Sequence, residues 1–433
     1  MRKSRYTIAF PVRDKFILIN GLSGVVRLIS KECAQRFLDG EFTEELKPFF
    51  THLTPEEELE KAKSLCDFLM KNAVSCVDGS IAVTYDCNLR CPYCYEIWAK
   101  PLATRMVMDK AKVDKAFEAL EVLNKECTRK KQLNLTGGEP LMKRNKEIVT
   151  YILKKGDDLG YHFTIFTNGV EFHNFLSDLS SVDITCVQIT LDGPSHLHDT
   201  RRVFRKGKGT FDVITRNIDK ARAMGLPLMI RTNTDPEVLS HLDELAHFYK
   251  EKAWIDDPHM RFALIHLCGQ YLDPEKGDEM TKIYKGVLDA ARKPELNFFN
   301  PSPNIKLDSL FSDPPRFWPS FWNCNAVTNR YVFDPFGDVY PCRTMLGWKE
   351  ECIGRYIPEL QFNERYKKWK RRTLFNMKKC TQCDMALVCA GDCGYASLLH
   401  EKDLFSPVCS ATEKIVVAYL EYLYDRKHLK GQM

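Results

Sequence analysis

Along this chain the apolar positions keep two different rhythms, and the rhythm changes near residue 80. Before that point the pattern predicts an extended piece at Tyr6–Phe10. A hairpin follows, in which Phe16–Ile19 and Val25–Ile29 flank Asn20-Gly21-Leu22-Ser23-Gly24. Asn-Gly between two apolar runs is a strong turn signal, because both residues tolerate positive φ. A helix over Pro55–Lys71 opens at Thr54, with Glu57 three residues on to complete a reciprocal cap. Residues 1–78 are therefore expected to form a small α+β unit.

From Ile81 short β-rich runs alternate with amphipathic helices. Strands are predicted at Ile81–Tyr85, Gln132–Thr136, Phe163–Thr167, Val187–Thr190, Leu228–Thr232 and Phe262–Leu267. Between the first two, Val113, Phe117, Leu120 and Leu123 share one helical face; another helix follows the second strand through Ile148 and Ile152. Strands each trailed by a helix predict parallel βα units, as either an open doubly wound sheet or a partial barrel. Both place ligands at the C-terminal ends of the strands. Polar residues gather there: Tyr85 runs into Asp86-Cys87, Thr136 into Gly137-Gly138-Glu139-Pro140, Thr167 into Asn168-Gly169, and Thr190 into Leu191-Asp192-Gly193. Residues 294–323, rich in Pro, Phe, Asn and Ser, read as a linker or wrapping segment, and an amphipathic helix from about Ala411 to Tyr424 closes the chain.

A length of 433 residues exceeds one compact core, so several modules are expected: 1–78, a central domain over 79–300 and a cysteine-rich unit over 301–433. The N-terminus breaks at Pro11, Arg13 and Asp14 before a signal-like apolar run builds up. No stretch approaches the roughly 18 apolar residues of a membrane span. A cytoplasmic location with no membrane partner is expected. A net charge of +5 over 63 basic and 58 acidic residues is weak and gives no reason to expect nucleic acid. The dense basic run Lys367, Lys368, Lys370, Arg371 and Arg372, continued by Lys378 and Lys379, reads either as a solvated helix face or as a dock for an acidic electron donor or peptide.

Cysteine changes the picture most. Seventeen cysteines with no export signal argue against disulfides and for metal ligation. Cys87-x3-Cys91-x2-Cys94 follows a strand, and at this cysteine frequency such spacing arises by chance roughly 0.03 times in the chain. Structural zinc wants four closed ligands, whereas three thiolates on a [4Fe–4S] cluster leave one iron open for an outside ligand. Cys380-x2-Cys383-x5-Cys389-x3-Cys393 would arise by chance roughly 0.001 times. Cys324-x12-Gly337-x4-Cys342 precedes it and Cys409 follows. A zinc ribbon is the competing reading of this second group.

The segment VTYDCNLRCPYCYE resembles the cluster loop of the radical S-adenosylmethionine superfamily, and further family motifs follow in order. The resemblance implies the partial (β/α)6 TIM-like barrel, a [4Fe–4S] cluster on Cys87, Cys91 and Cys94, and S-adenosylmethionine as cofactor. Gly137-Gly138-Glu139-Pro140 resembles the segment that receives the methionine amino group, with glycines for close backbone approach and Glu139 to accept from the ammonium. Asn168, Thr190, Asp192 and Arg202 are expected near the ribose and carboxylate, and Tyr93 near the adenine. Reductive cleavage of the cofactor to a 5′-deoxyadenosyl radical, which abstracts a substrate hydrogen, is the implied chemistry. An electron donor of flavodoxin or ferredoxin type would drive it.

The later cysteines resemble the SPASM extension of subtilosin, pyrroloquinoline quinone, sulfatase and mycofactocin maturases. That family implies one auxiliary [4Fe–4S] cluster on Cys380, Cys383, Cys389 and Cys409 and another on Cys324, Cys342 and Cys393, three clusters in all. The last has three assigned ligands, which leaves an open iron or closure by Cys268 or Cys352. Cys33, Cys66, Cys76, Cys127 and Cys186 read as buried small apolar residues. Such enzymes act on peptides or proteins, and the N-terminal unit is either a packing extension or a receiver of a leader peptide by strand addition. In sulfatase maturases an Asp follows the cysteine at position 342 as base; Arg343 stands there in this chain. A ribosomal-peptide maturase forming a thioether or carbon–carbon crosslink is therefore favoured over formylglycine formation. From another class, a non-enzymatic iron–sulfur electron carrier would show the cysteines but has no use for a cofactor pocket.

Overall fold

The computed structural model describes residues 1–73, 76–102, 106–266, 277–301, 307–409 and 412–429. Its backbone is an 11-stranded sheet that runs from Phe299–Pro301 through Met260–His266, Leu228–Thr234, Ile184–Thr190, Tyr161–Thr167 and Lys131–Thr136 to Asp78–Ala82. Arg330–Phe333, Asp338–Tyr340, Gly354–Arg355 and Gln361–Phe362 then continue the same sheet. Pairing is parallel as far as Arg330–Phe333 and antiparallel beyond it. The six central strands make the partial barrel, with helices on the outside.

Alternation within one strand shows how the wall is built. Tyr161, Phe163 and Ile165 are buried under helices such as Lys146–Asp158, while His162, Thr164 and Phe166 on the opposite face are half-buried. The helix Lys110–Leu123 buries Val113, Phe117 and Leu120 on the expected face and starts at Asp109, whose side chain accepts from the Lys112 amide at 2.8 Å.

Several elements differ from their predicted bounds. The first barrel strand is Asp78–Ala82, three residues earlier than expected. Val83 and Tyr85 extend the apolar run because they are buried; Val83 N still bonds to Thr136 O at 3.1 Å, and beyond it the chain turns to bridge Thr84 with Val107, Thr84 Oγ1 being bonded to the Met106 carbonyl at 2.7 Å. In 294–323, expected to be a linker or wrapping segment, Phe299–Pro301 pairs with Phe262–Leu264 as an edge strand. The last predicted strand ends at His266, with Leu267 outside the described residues, and the closing helix is Thr412–Leu429, its predicted start at Ala411 also outside them.

The N-terminal strands Thr7–Val12, Lys15–Asn20 and Val26–Ser30 form a three-stranded antiparallel sheet whose last strand, among the described residues, pairs only with the middle one. Its inner face shares a core with the helix Gly277–Arg292 and with Met377, Leu387, Tyr419 and Leu420 near the C-terminus. The Thr54 cap forms as expected, with Glu57 N to Thr54 Oγ1 at 3.2 Å and Thr54 N to Glu57 Oε2 at 2.8 Å. No helix among the described residues is long and apolar enough to cross a membrane.

Two cysteine expectations need correction. Cys76 and Cys127 form a disulfide that ties the entry of the first barrel strand to the segment before the second. Sequence spacing hides this pairing, because the two meet only through the barrel's parallel register. Cys33 and Cys186 are half-buried rather than buried; Cys66 is buried as expected.

Candidate active site

The cysteine loop is gripped by the loop after the second strand. Gly138 N donates to Thr84 O and Glu139 N to Asp86 O, both at 2.8 Å. A Cβ on Gly137, whose φ is +107°, would lie 2.3 Å from Thr84 O, and one on Gly138 would lie 2.3 Å from Asp86 O. The close approach these glycines permit is thus first of all to the stem of the cysteine loop.

Glu139 is 1% exposed, and burial pushes its carboxyl up to about 7 against the pull of its donors. Oε1 accepts from Leu141 N at 2.8 Å and Thr167 Oγ1 at 2.7 Å, while Oε2 accepts from Asn168 N at 2.5 Å. One acceptor direction on Oε2 is left for a ligand ammonium. Pro140 gives its carbonyl to Asn145 Nδ2 at 3.1 Å and so shapes the segment without facing it with a polar side chain.

Cys87 sits where two donors reach its sulfur, Leu89 N at 3.4 Å and Asn168 Nδ2 at 3.7 Å. Burial raises its thiol, with Glu139 and Cys91 close enough to add to the effect. Cys94 follows one turn on, its amide 3.4 Å from the Cys91 carbonyl. Asp86, beside Cys87, is 6% exposed and receives both Arg144 and Arg205.

Asp192 is fully buried at the end of the Ile184–Thr190 strand. Its Oδ1 accepts from Asn233 N at 3.0 Å and Asn233 Nδ2 at 3.1 Å, and its Oδ2 from the Tyr93 hydroxyl. Thr190, two residues before Asp192, pairs with Arg231 and is half-buried. Arg202 Nη1 donates to Tyr93 Oη at 3.1 Å, while its buried Nε has no partner. The neighbours Tyr93, Cys91 and Asp192 hold this guanidinium charged in spite of its burial. His198 and Asp199 are scaffold: His198 Nδ1 accepts from Asp192 N at 3.2 Å, and Asp199 Oδ1 takes the Thr210 and Phe211 amides at 2.7 and 2.9 Å. Burial holds His198 well below its usual range, so it brings no second positive charge beside Arg202.

The remaining cysteines meet in two sets. The thiol of Cys380 is pushed up to about 12 by burial and by Cys389, Cys409 and Cys383 around it. Cys393 is raised by burial and by Cys324 and Cys342 beside it, although 69 residues of chain separate Cys393 from Cys324. Cys352 keeps other company: its Sγ donates to Gly354 O at 3.1 Å, and its charged neighbours are Asp338 and Asp334. Cys268 lies outside the described residues. Among the described residues, no three cysteine sulfurs lie within 4.8 Å of one another. A tetrahedral zinc with bonds of about 2.3 Å needs its sulfurs about 3.8 Å apart. The sulfurs of either set therefore stand too far apart for a single tetrahedral zinc.

Sequence reasoning missed Arg144, Arg205 and Asn233, which come from neighbouring strands and loops and carry no local spacing signal, and it marked Thr167 as a strand end without its bond to Glu139. It also placed Arg372 on a basic surface face. Arg372 is buried instead, donating to the carbonyls of Leu404, Asp392 and Gly391 at 2.9, 3.0 and 2.7 Å, and so ties down the loops that carry Cys389 and Cys393.

Residues 81–249 match the family described as Radical SAM superfamily. This segment is a radical SAM domain. A cysteine-type anaerobic sulfatase-maturating enzyme of Clostridium novyi (strain NT) is 24% identical over 339 residues, covering 71% of this chain and 85% of that protein. Among solved structures, anSMEcpe with bound AdoMet shares the fold at a TM-score of 0.62 and 17% identity, over 82% of this chain and 98% of that one. Streptococcus suis SuiB bound to its precursor peptide SuiA shares it at a TM-score of 0.52 and 18% identity, over 95% and 99%. Radical SAM enzymes use a [4Fe–4S] cluster and S-adenosylmethionine, and the unpartnered Arg202 Nε is a buried donor suited to the cofactor's carboxylate.

Proposed function

We propose that this radical SAM enzyme is a maturase that modifies a ribosomal peptide, joining two of its positions by a thioether or carbon–carbon bond. When bound, the cluster on Cys87, Cys91 and Cys94 and its S-adenosylmethionine supply a hydrogen-abstracting radical. Everything else is the work of side chains. Arg202 binds the cofactor carboxylate through Nε, Glu139 Oε2 takes its ammonium, and Asp192, fixed by Asn233, presents an acceptor to the ribose. Asn168 orders both Glu139, through its amide, and the Cys87 thiolate, through Nδ2. Cys324, Cys342 and Cys393 hold one auxiliary cluster and Cys380, Cys383, Cys389 and Cys409 the other.

Arg343 is the observation that carries the choice of reaction. Its guanidinium lies 3.9 Å over the ring of Phe166, whose side chain stands on the barrel's inner face. A permanently charged cation there cannot remove a proton, which formylglycine formation requires of the residue after Cys342. Support for a leader peptide comes from the N-terminal sheet: Val26–Ser30 has an unpaired edge among the described residues, with Leu28 exposed. The relative from Clostridium novyi favours the second reading, oxidation of a cysteine or serine to formylglycine.

Anaerobic incubation with S-adenosylmethionine, dithionite and a synthetic cysteine-bearing peptide, its sequence taken from any short reading frame found beside the gene, separates these readings by the product. Loss of two hydrogen atoms with formation of 5′-deoxyadenosine is the expected result. Loss of two hydrogen atoms together with exchange of sulfur for oxygen would instead mark formylglycine at a cysteine, and capture of the product by a carbonyl reagent would mark it at a serine. Absence of 5′-deoxyadenosine with clusters intact would leave the electron carrier standing.

A further inference from the structure

Resting on the reading of Cys87, Cys91 and Cys94 as cluster ligands, the structure also indicates where the electron enters. Cys87 lines an open groove of about 670 Å³ together with Met142, Lys143, Arg144, Glu171 and Arg205. The groove's wall continues into a tight turn: Leu89 bridges to Phe204, Arg90 N bonds to Val203 O at 2.9 Å, and Phe204 N bonds to Lys208 O at 2.9 Å. This brings Arg90, Arg205, Lys206 and Lys208 to the same rim, all exposed.

The two carboxylates of the groove face inward. Asp86 is taken up by Arg144 and Arg205, and Glu171 accepts from the Lys143 amide and from Asn88 Nδ2 at 3.3 Å. Among the described residues, Arg90, Lys143, Lys206 and Lys208 form no ion pair. A collar of six cations therefore rims the groove that Cys87 lines, with two carboxylates already engaged. Such a field attracts an acidic surface and orients it before contact.

We propose that a small acidic one-electron carrier protein docks on this collar and reduces the cluster at its Cys87 side. One electron leaves the carrier's flavin or iron centre and one enters the cluster, with no bond made or broken. The collar, and not the basic run near Lys367 and Lys368, is the docking surface: that run flanks the Cys380 set.

The test uses holoenzyme with Lys143→Glu, Lys206→Glu and Lys208→Glu combined, and a labelled acidic flavodoxin as probe. Binding is read by fluorescence anisotropy, and cluster reduction by stopped-flow absorbance with flavodoxin hydroquinone or with dithionite. At low ionic strength the reversal weakens flavodoxin binding and slows flavodoxin-driven reduction by about tenfold or more. The difference shrinks as salt is added, while dithionite-driven reduction and 5′-deoxyadenosine formation stay at the wild-type level. Lys367→Glu with Lys368→Glu leaves both flavodoxin readouts unchanged. Wild-type flavodoxin affinity in the collar variant, or weakening only in the Lys367/Lys368 variant, overturns the proposal. If the triple variant fails to hold its clusters, Lys208→Glu alone is held to the same outcomes with a smaller change. Failure of wild type to yield 5′-deoxyadenosine under dithionite would strike the cluster reading itself, which separates the two.

Discussion

The Cβ that Gly137 lacks would fall 2.3 Å from the carbonyl oxygen of Thr84, so the loop after the second strand lies directly on the stem of the cysteine loop. Gly137→Ala sets a side chain against a backbone carbonyl and leaves a non-glycine residue at a φ of +107°. Strain of that kind costs about 1–3 kcal/mol before the clash is counted. The expected outcome is a lower Tm and loss of one cluster's worth of iron and sulfide per chain, both measurable on reconstituted protein. Unchanged iron content would show that the grip on the loop is dispensable.

Arg202→Gln removes the charged donor but keeps a side chain of similar reach. A charge-assisted hydrogen bond contributes about 1.5–3 kcal/mol, so the Kd for S-adenosylmethionine should rise by roughly tenfold or more. Calorimetric titration checks the affinity, and EPR of the reduced cluster without cofactor should match wild type. An unaltered Kd would remove Arg202 from the binding site.

Cysteine replacements should sort by set. Alanine at Cys324, Cys342 or Cys393 is expected to perturb one auxiliary EPR signal, and alanine at Cys380, Cys383, Cys389 or Cys409 the other. Cys352→Ala should leave every signal in place, because its sulfur bonds to Gly354 O and lies beside Asp338. A change in the first set's signal on losing Cys352 would contradict the placement seen here.

Tyr85 reaches from the cysteine loop to the C-terminal module, its hydroxyl donating to Asp334 Oδ2 at 2.7 Å. Asp334 also accepts from the Phe336 and Asp338 amides at 2.9 and 2.8 Å, and burial lifts its carboxyl to about 6. Tyr85→Phe leaves a buried oxygen short of a donor, at about 1–3 kcal/mol. Equilibrium denaturation of the holoenzyme should show that loss, and a change below 0.5 kcal/mol on the order of surface substitutions would refute the link.

What could be read in advance divides along physical lines. The cap at Thr54 and Glu57, the face of Val113, Phe117 and Leu120, and the strand Lys131–Thr136 are legible because their determinants are local. Asp192, Glu139 and Thr167 stand out as polar residues at strand ends, yet that Thr167 anchors Glu139 and Asn233 anchors Asp192 is set across neighbouring strands and leaves no trace in spacing. Tyr85 misleads in the opposite way: it belongs to an apolar run because it packs and bonds across to Asp334, and so it reads as strand. Arg372 looks like its solvated neighbours until tertiary structure surrounds it with three carbonyls. The Cys76–Cys127 bridge is invisible for the same reason.

The pairing of Arg330–Phe333 with Asp78–Ala82 bears on how the chain is made. The carboxylate of Asp78 waits for a guanidinium 252 positions downstream, and until it arrives the first barrel strand has one bare edge. A ribosome must therefore have delivered three-quarters of the polypeptide before that edge is sealed. Shortened versions that stop near residue 300 are expected to aggregate through it, so the C-terminal third behaves as a wall of the barrel rather than an attachment to it.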